Sequence, residues 1–536
     1  VSFTSVALWS KRVYEAKESA GRARRCEREN SMMRTSRQVL PATAISDARI
    51  RASRLVLLTT WISVATLILC APPARAEVTH VLKQVTSLTQ GRIEQPEIRQ
   101  MDGNFVVFVS DGDVMGPGTA HLGQREVYLW SRATDSVTQV THTIGGESYD
   151  ASRVTDDYGT HRGAVIAFVS TGNLDPAGTN ADANPEVFLW RMDTGEFRQL
   201  TDTAPGIVNA EPVPSDTGSC ILFQSSGDLD NNDGSFEKST ATGFKNADGS
   251  LEVFYLDFHD LTFADFHVTQ ISNGPAGTTS SHGSAGGYFF SLECSNQTYQ
   301  SDHDQLGEGI SGINVYEHRK RELERERLSV GGIDGGSSID PRMAGTGLVT
   351  GGPSVVFSSD ADLAHNGSTG FQIYKRAIHT CRQAQLTADP GGGHTHPSIS
   401  DGSRTVVFES TGEAADPGKP SRRGPDGPHN ADGNSEIVRI MGRHKVHVLT
   451  RTTGCTNDQA SIMGNGRGVA FRSDCDLIAG NNSAGVAQVF AYYEAYIRET
   501  YSTPADCLIS DACCSTANGC YELIVASARR MPRRLP

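Results

Sequence analysis

The sequence predicts an all-β fold: a seven-bladed β-propeller built from four-stranded blades. Three observations carry that prediction. An apolar strand ending in Phe-x-Ser recurs seven times along the chain. Each copy is flanked by further short segments rich in β-branched and aromatic residues, broken by Gly, Asn, Asp and Pro as turns require. No long amphipathic helix lies between the copies, which excludes a parallel sheet with crossover helices. Length agrees: 536 residues exceed one ordinary core, and radial repetition lets one architecture run that far.

The chain begins with segments that read as processing signals. Residues 1–53 are Arg-rich, without apolar periodicity, and read as a leader upstream of the true start, with Met32 and Met33 as candidate starts. Residues 54–76 read as a signal peptide. Arg49, Arg51 and Arg54 precede the apolar run Leu55–Cys70, and Ala74-Arg75-Ala76 supplies a small-residue cleavage site before Glu77. The run is shorter than the roughly 20 residues a membrane span needs. Nothing later in the chain is long and apolar enough to span one, so the protein is expected to be periplasmic or secreted. The formal charge is −14, from 48 Lys+Arg and 62 Asp+Glu. That acidity argues against nucleic acid as a partner.

Residues 77–495 carry the repeats. The Phe-x-Ser pairs are Phe108/Ser110, Phe168/Ser170, Phe223/Ser225, Phe289/Ser291, Phe357/Ser359, Phe408/Ser410 and Phe471/Ser473. A second strand follows each, as in Glu126-Val-Tyr-Leu-Trp130 and Glu186-Val-Phe-Leu-Trp190, and a short third follows that, as in Gln139-Val-Thr141 and Gln199-Leu-Thr201. A fourth leads into the next unit, as in His396-Pro-Ser-Ile-Ser400. The charged run Glu317–Leu328 reads as a distorted strand or loop of the fourth unit. Val81–Thr86 reads as an outer strand with no blade before it, and the seventh unit lacks such a strand. Residues 78–86 are therefore expected to complete blade seven, in competition with Tyr496–Thr503.

The pattern P-x-[IS]-S-D-G, V-V-F-x-S, E-V-F-L-W, Q-L-T is similar to the repeats of TolB-like, WD-repeat-like propellers of bacterial envelopes. The resemblance spans about residues 78–495. It implies a propeller, and it implies a choice among partner-binding proteins, peptidase-associated propellers and lyases. TolB carries an α/β domain ahead of its propeller, and the first 76 residues here do not read as one.

Residues 496–536 form a Cys-rich tail with a basic end. Cys507, Cys513, Cys514 and Cys520 lack the C-x2–4-C spacing of structural zinc and read as disulfide partners. Cys455 and Cys475 flank a strand of blade seven and are expected to pair. Cys220, Cys294 and Cys381 read as small buried apolar residues.

Two repeated polar patterns are candidate sites. The first is the loop Asn180-x-Asp182-x-Asn184-x-Glu186, repeated as Asn246-x-Asp248-x-Ser250-x-Glu252 and Asn430-x-Asp432-x-Asn434-x-Glu436. Alternating oxygen ligands suit Ca²⁺, while Asn and Asp in a strand connection equally suit turn formation. No cofactor is required by the sequence, and Ca²⁺ is the one candidate. The second is the set Gln95, Asp150, Glu211, Asp340, His396 and Gln459, each at the start of a strand leading into a Phe-x-Ser strand. Repeat symmetry places them around one mouth of the channel, with Ser281-His282 near the fourth, degenerate position. His394 and His396, two apart on a strand, are expected to point the same way and form the best metal pair.

No G-x-S-x-G elbow, HExxH or P-loop occurs. The expectation is an exported, non-enzymatic binding propeller presenting an acidic channel mouth to a protein or peptide. Two alternatives compete. One is a polysaccharide lyase or hydrolase using the mouth carboxylates with His394 and His396. The other is a secreted adhesive or structural protein stiffened by Ca²⁺.

Overall fold

The computed structural model describes residues 77–497, apart from loop stretches of which 231–241, 345–352 and 413–429 are the longest. The expected leader and signal segment lie outside the described residues, as does the expected Cys-rich tail beyond Tyr496 and Ile497, which end the last strand. Within the described residues the chain forms seven antiparallel sheets of four strands each, and no helix. The expected seven-bladed propeller is what forms.

The strands nearest the channel are Ile93–Ile98, Ser148–Tyr149, Asn209–Pro214, Ser280–Tyr288, Ser338–Met343, His394–Ile399 and Asn457–Ile462. The second strands carry the apolar repeat: Phe105–Ser110, Val165–Ser170, Cys220–Ser225, Leu292–Ser301, Ser354–Ser359, Thr405–Ser410 and Gly468–Ser473. The third strands begin at Glu126, Glu186, Glu252, Asn314, Gln372, Glu436 and Gln488. The outer strands of blades one to six follow in sequence. The seventh is Glu77–Gln84, paired antiparallel with Gln488–Ile497 in the register Gln84↔Phe490. The ring is thus closed by the strand expected from residues 78–86.

Second and third strands meet through one repeated aromatic pair on the blade face. Phe108 stacks on Tyr128, Phe168 on Phe188, Phe223 on Phe254, Tyr299 on Tyr316, Phe357 on Tyr374 and Phe471 on Phe490, with ring centroids 5.6–6.0 Å apart. Cross-strand pairs of this kind contribute about 0.5–1.5 kcal/mol each beyond their burial. Blade six has Val438 opposite Phe408, and there the ring of His394 packs edge-on against Phe408. The serine ending each second strand caps the turn beyond it: Ser110, Ser170 and Ser225 each accept the amide two residues on, at 3.0 Å.

The Glu and Gln-x-Thr signatures answer one another. The Glu126 carboxylate accepts from the Thr141 hydroxyl and from Thr143 N and Oγ1, both at 2.7 Å, and Val127 N donates to Thr141 Oγ1 at 2.9 Å. Glu186 binds Thr201 and Thr203 in the same way, and Glu436 binds Thr452. The Gln side chain of the signature donates to the Thr carbonyl two residues on, from Gln139 at 2.9 Å and from Gln199 at 2.8 Å. Gln84-Val85-Thr86 repeats this at the N-terminal strand: Gln84 donates to Thr86 O at 2.8 Å, and Thr86 Oγ1 donates to Gln488 at 2.8 Å. The buried carboxylates of Glu126, Glu186 and Glu436 thus find their donors, as burial requires.

Two expectations are corrected. In blade four the Phe-x-Ser positions belong to Tyr299 and Ser301, since Tyr299 makes the stacked pair; Phe289 and Ser291 lie outside the described residues. The innermost hairpin of that blade is long, Ser280–Tyr288 against Leu292–Ser301 with two register shifts, and it displaces the motif along the chain. Cys220 and Cys294 are not free apolar residues. They form a disulfide between blades three and four, and Cys381 is also disulfide-bonded. The charged run after Asn314 folds as the strands Asn314–Arg319 and Glu324–Arg327. Its charges pair across the blade: Arg319 with Glu317 at 2.9 Å and with Glu326 at 2.6 Å, which in turn meets Arg376 at 2.6 Å. Cys455 and Cys475 pair as expected.

Candidate functional site

Six of the seven innermost strands begin at the mouth face and bulge almost at once, and the seventh, Ser148–Tyr149, stops there. The ladder slips between Glu94 and Glu97, Ala210 and Val213, Ser281 and Ser284, Ile339 and Arg342, Thr395 and Ser398, and Asp458 and Ser461. An innermost strand is a sheet edge, where bulges and proline are tolerated. Pro96, Pro212, Pro341 and Pro397 sit inside these bulges. Proline brings no N–H, so the broken ladder loses no donor there.

The residue at the head of each bulge, like the one after that short strand, is left-handed. Gln95, Asp150, Glu211, His282, Asp340, His396 and Gln459 have φ between 49° and 55°. This conformation costs a non-glycine residue about 1–2 kcal/mol, and it turns the side chain from the sheet into the channel. All seven line one cavity of about 360 Å³. The six residues expected at the mouth are brought together, and His282 completes the ring from blade four. Sequence reading stopped short of His282 because Gly283 stands where four other blades have proline. Its signal was the polar residue one step before that break.

The ring side chains bond from blade to blade. Gln459 Oε1 accepts Gln95 N at 2.8 Å, Asp150 Oδ2 accepts Glu211 N at 3.3 Å, and Glu211 Oε2 accepts His282 N at 3.0 Å. A side chain of one blade thus satisfies the amide that the next blade's bulge exposes. Beyond the two histidine blades the work passes to the second strand. Gln300 Oε1 accepts Asp340 N at 2.7 Å, and Glu409 Oε1 accepts Gln459 N at 2.6 Å.

That substitution leaves an arc with different geometry. His282 Nε2 lies 3.7 Å from Glu211 Oε1 and 3.7 Å from Asp340 Oδ1, too far for hydrogen bonds. Asp340 is 8 % exposed, and its Oδ2 has no hydrogen-bond partner. His396 Nε2 is 3.7 Å from that oxygen, while His396 Nδ1 meets Glu409 Oε2 at 3.0 Å. The Glu409 hydrogen bond and charge, with Asp340 adding, raise the His396 pKa to about 9, so the ring is protonated at neutral pH. Across the mouth, burial holds the Asp150 carboxyl above its ordinary range, and the nearby charge of Glu211 adds to it. Several other charges of the wall are paired: Arg153 with Asp216 at 2.6 Å, Arg342 with Glu97 at 3.6 Å, and Arg472 with Asp458 at 2.7 Å. Glu211 and Asp340 face the cavity with no Arg or Lys paired to them among the described residues.

The expected pair of His394 and His396 does not converge. His394 is fully buried, packed on Phe408, with Nδ1 at 3.0 Å from Ser410 Oγ, and burial lowers its pKa to about 4. The left-handed turn at His396 breaks the two-residue alternation, so one ring enters the blade and the other the channel.

The Asn/Asp loops are built as turns. Asn180 Nδ2 donates to Asn184 O at 3.0 Å, and Asn184 Nδ2 to Thr203 Oγ1 at 2.7 Å. Asn246 Nδ2 reaches Ser250 O at 2.8 Å, and Asp248 accepts Ser250 N at 3.1 Å. Asn430 reaches Asn434 O at 2.7 Å, and Asn434 reaches Thr452 Oγ1 at 2.8 Å. Asp182 and Asp432 are exposed at the loop tips. Glu186, Glu252 and Glu436 are bonded within their blades to the segment after the outer strand. Among the described residues, one group of three metal-binding side chains converges: Cys455, Asp474 and Cys475. Its two sulfurs are joined as a disulfide.

No family model and no curated protein matches the chain. Solved structures show a partial likeness to it. An oligogalacturonate lyase from Vibrio parahaemolyticus is 14% identical, with a TM-score of 0.47 over 80% of this chain and 100% of its own. A second oligogalacturonate lyase, solved in complex with manganese, is 12% identical, with a TM-score of 0.44 over 78% of this chain and 98% of its own. TolB from Acinetobacter baumannii is 12% identical, with a TM-score of 0.32 over 78% of this chain and 80% of its own. At these identities and TM-scores the likenesses add nothing to the propeller that the seven four-stranded sheets already show.

Proposed function

We propose that this protein is an exported binding propeller that holds a protein or peptide partner over an acidic channel mouth, without chemistry of its own. One observation carries the reading: seven left-handed residues, one per blade, converge on a single cavity in which carboxylates outnumber cations. The second strands end and the third strands begin on this same face, and the sequence between them is longest over 226–251 and 411–435. Long connections on a rigid scaffold are where binding residues concentrate. The Cys220–Cys294 and Cys455–Cys475 disulfides suit an oxidising compartment, in keeping with periplasmic or secreted residence.

The test is affinity capture from envelope and culture extracts, using the protein and a variant carrying Asp150→Ala, Glu211→Ala, Asp340→Ala and His396→Ala. A protein held by the first and lost by the second, with both melting cooperatively, is the expected result. Retention by both forms places binding elsewhere, and retention by neither sinks the proposal.

A catalytic reading has one observation in its favour. His396 is a protonated imidazole beside the buried Asp340, which suits a general acid. Turnover of a polysaccharide by the protein, abolished by His396→Gln, would replace the binding reading with this one.

A further inference from the structure

The ring is not uniform, and its unevenness points to a ligand. In blades one to three the ring side chains are engaged: Asp150 takes the Glu211 amide, and Gln95 Nε2 reaches Asp150 Oδ1 at 3.4 Å. Glu211 uses only Oε2, for the His282 amide and the Gln224 side chain. Its Oε1 accepts no hydrogen bond among the described residues, and neither does either oxygen of Asp340. Asp340 is the more telling of the two, because its side chain is nine-tenths buried and opens only on the cavity. A buried carboxylate oxygen without a donor is costly, about 1–3 kcal/mol or more for a charged group. Gln300 lies beside this arc, but it meets Asp340 as an acceptor, its Oε1 taking the Asp340 amide.

We propose that the Glu211–His282–Asp340 arc is a socket for a guanidinium group, an arginine side chain presented by the polypeptide partner. The inference rests on the binding reading above and names the chemistry of what is bound. Three features select this group. The unpartnered atoms are all acceptors, so the ligand must be a donor. Two carboxylates flank the socket, and the cationic His396 beside Asp340 is shared with Glu409 at 3.0 Å, so a net negative charge remains and the ligand is cationic. An imidazole lies between them, 3.7 Å from each, and a planar guanidinium stacks on such a ring while its N–H fork reaches both sides. An ammonium matches the charge but neither the plane nor the span.

The experiment is calorimetric titration of the full protein with blocked pentapeptides that differ at one central residue: arginine, citrulline or lysine. Citrulline keeps the shape and most donors of arginine and lacks its charge. The arginine peptide is expected to bind saturably, and the citrulline peptide at least about tenfold more weakly, as for loss of one charge-assisted contact. The lysine peptide falls between them. Added salt weakens the arginine peptide and narrows the gap. Asp340→Asn and Glu211→Gln each weaken the arginine peptide by a similar factor while the variants still melt cooperatively. The wild-type comparison of arginine with citrulline needs no variant, so a folding defect cannot mask the answer. Equal binding of the two peptides, or binding of neither, overturns the inference. If extract capture still depends on the mouth while the peptides fail to discriminate, the guanidinium socket falls and the binding reading stands. If capture is also lost, both fall.

Discussion

The molecule carries two sets of repeated acidic residues, and they have opposite fates. Glu126, Glu186, Glu252 and Glu436 open the third strands, are almost fully buried, and accept from hydroxyls and amides of their own blades. Asp150, Glu211 and Asp340 open the innermost strands and face a shared cavity. Both sets recur with the repeat. Only an account of hydrogen-bond partners separates them: the first set is closed, and the second has oxygens to spare. Repetition of a polar residue therefore marks a structural rule as readily as a site.

Breaking the first set should have the largest effect. Glu186→Ala strands the donors of Thr201, Thr203 and Asn209 in a buried pocket. A loss of about 3 kcal/mol is expected, read from the shift of a urea unfolding curve. A shift as small as that of a surface substitution would mean that the carboxylate network is not what joins the outer strand to the third.

The pH profile of stability sharpens the contrast between His394 in the blade and His396 at the mouth. His394 has a native pKa of about 4 against an ordinary 6.5. Between those values the unfolded chain binds a proton that the native state refuses, so stability falls as pH drops from 6.5 towards 4. His318, lowered to about 3 by burial and by Arg325, acts in the same direction. His396 is the reverse, raised to about 9. Its contribution is complete below pH 6.5 and is lost as pH rises through 9. His396→Gln should flatten only the alkaline limb, and His394→Gln should reduce only the acid limb. An alkaline limb that survives His396→Gln would assign it to another group.

Smaller effects test the second set. Asp340→Asn should leave unfolding stability unchanged or raise it, by up to about 1–3 kcal/mol, because neither oxygen accepts a hydrogen bond and the buried charge is a cost. A large loss would make Asp340 one more structural carboxylate. Smallest of all is the effect of a chelator. If the Asn180–Glu186, Asn246–Glu252 and Asn430–Glu436 loops are turns, EDTA leaves the melting temperature unchanged. A fall reversed by Ca²⁺ would restore the calcium reading and explain the exposed Asp182, Asp248 and Asp432.

Much of the fold was legible because its rules are local. Phe-x-Ser, the Glu that opens a third strand and Gln-x-Thr are each satisfied within a few residues or across one blade. The seven copies expose them, and even the closing strand at Gln84-Val85-Thr86 keeps its signature. Blade four escaped because its hairpin is longer, which carried the motif from the expected Phe289 to Tyr299. The mouth residues were legible as positions. Their conformation was not, since a left-handed φ at His396 is a property of a bulge against a neighbouring strand, and it separated His396 from His394.

The sequence by itself determined the blade: strand order, turn chemistry, aromatic pairing and the acidic cast of the chain, because these follow from near neighbours and side-chain type. Tertiary structure alone decided the ring: that Asp150, Glu211, His282 and Asp340 share one cavity, and that Gln300 rather than His282 serves the Asp340 amide. Which polar atom is left without a partner depends on what seven blades bring to one axis, and no single repeat contains that information.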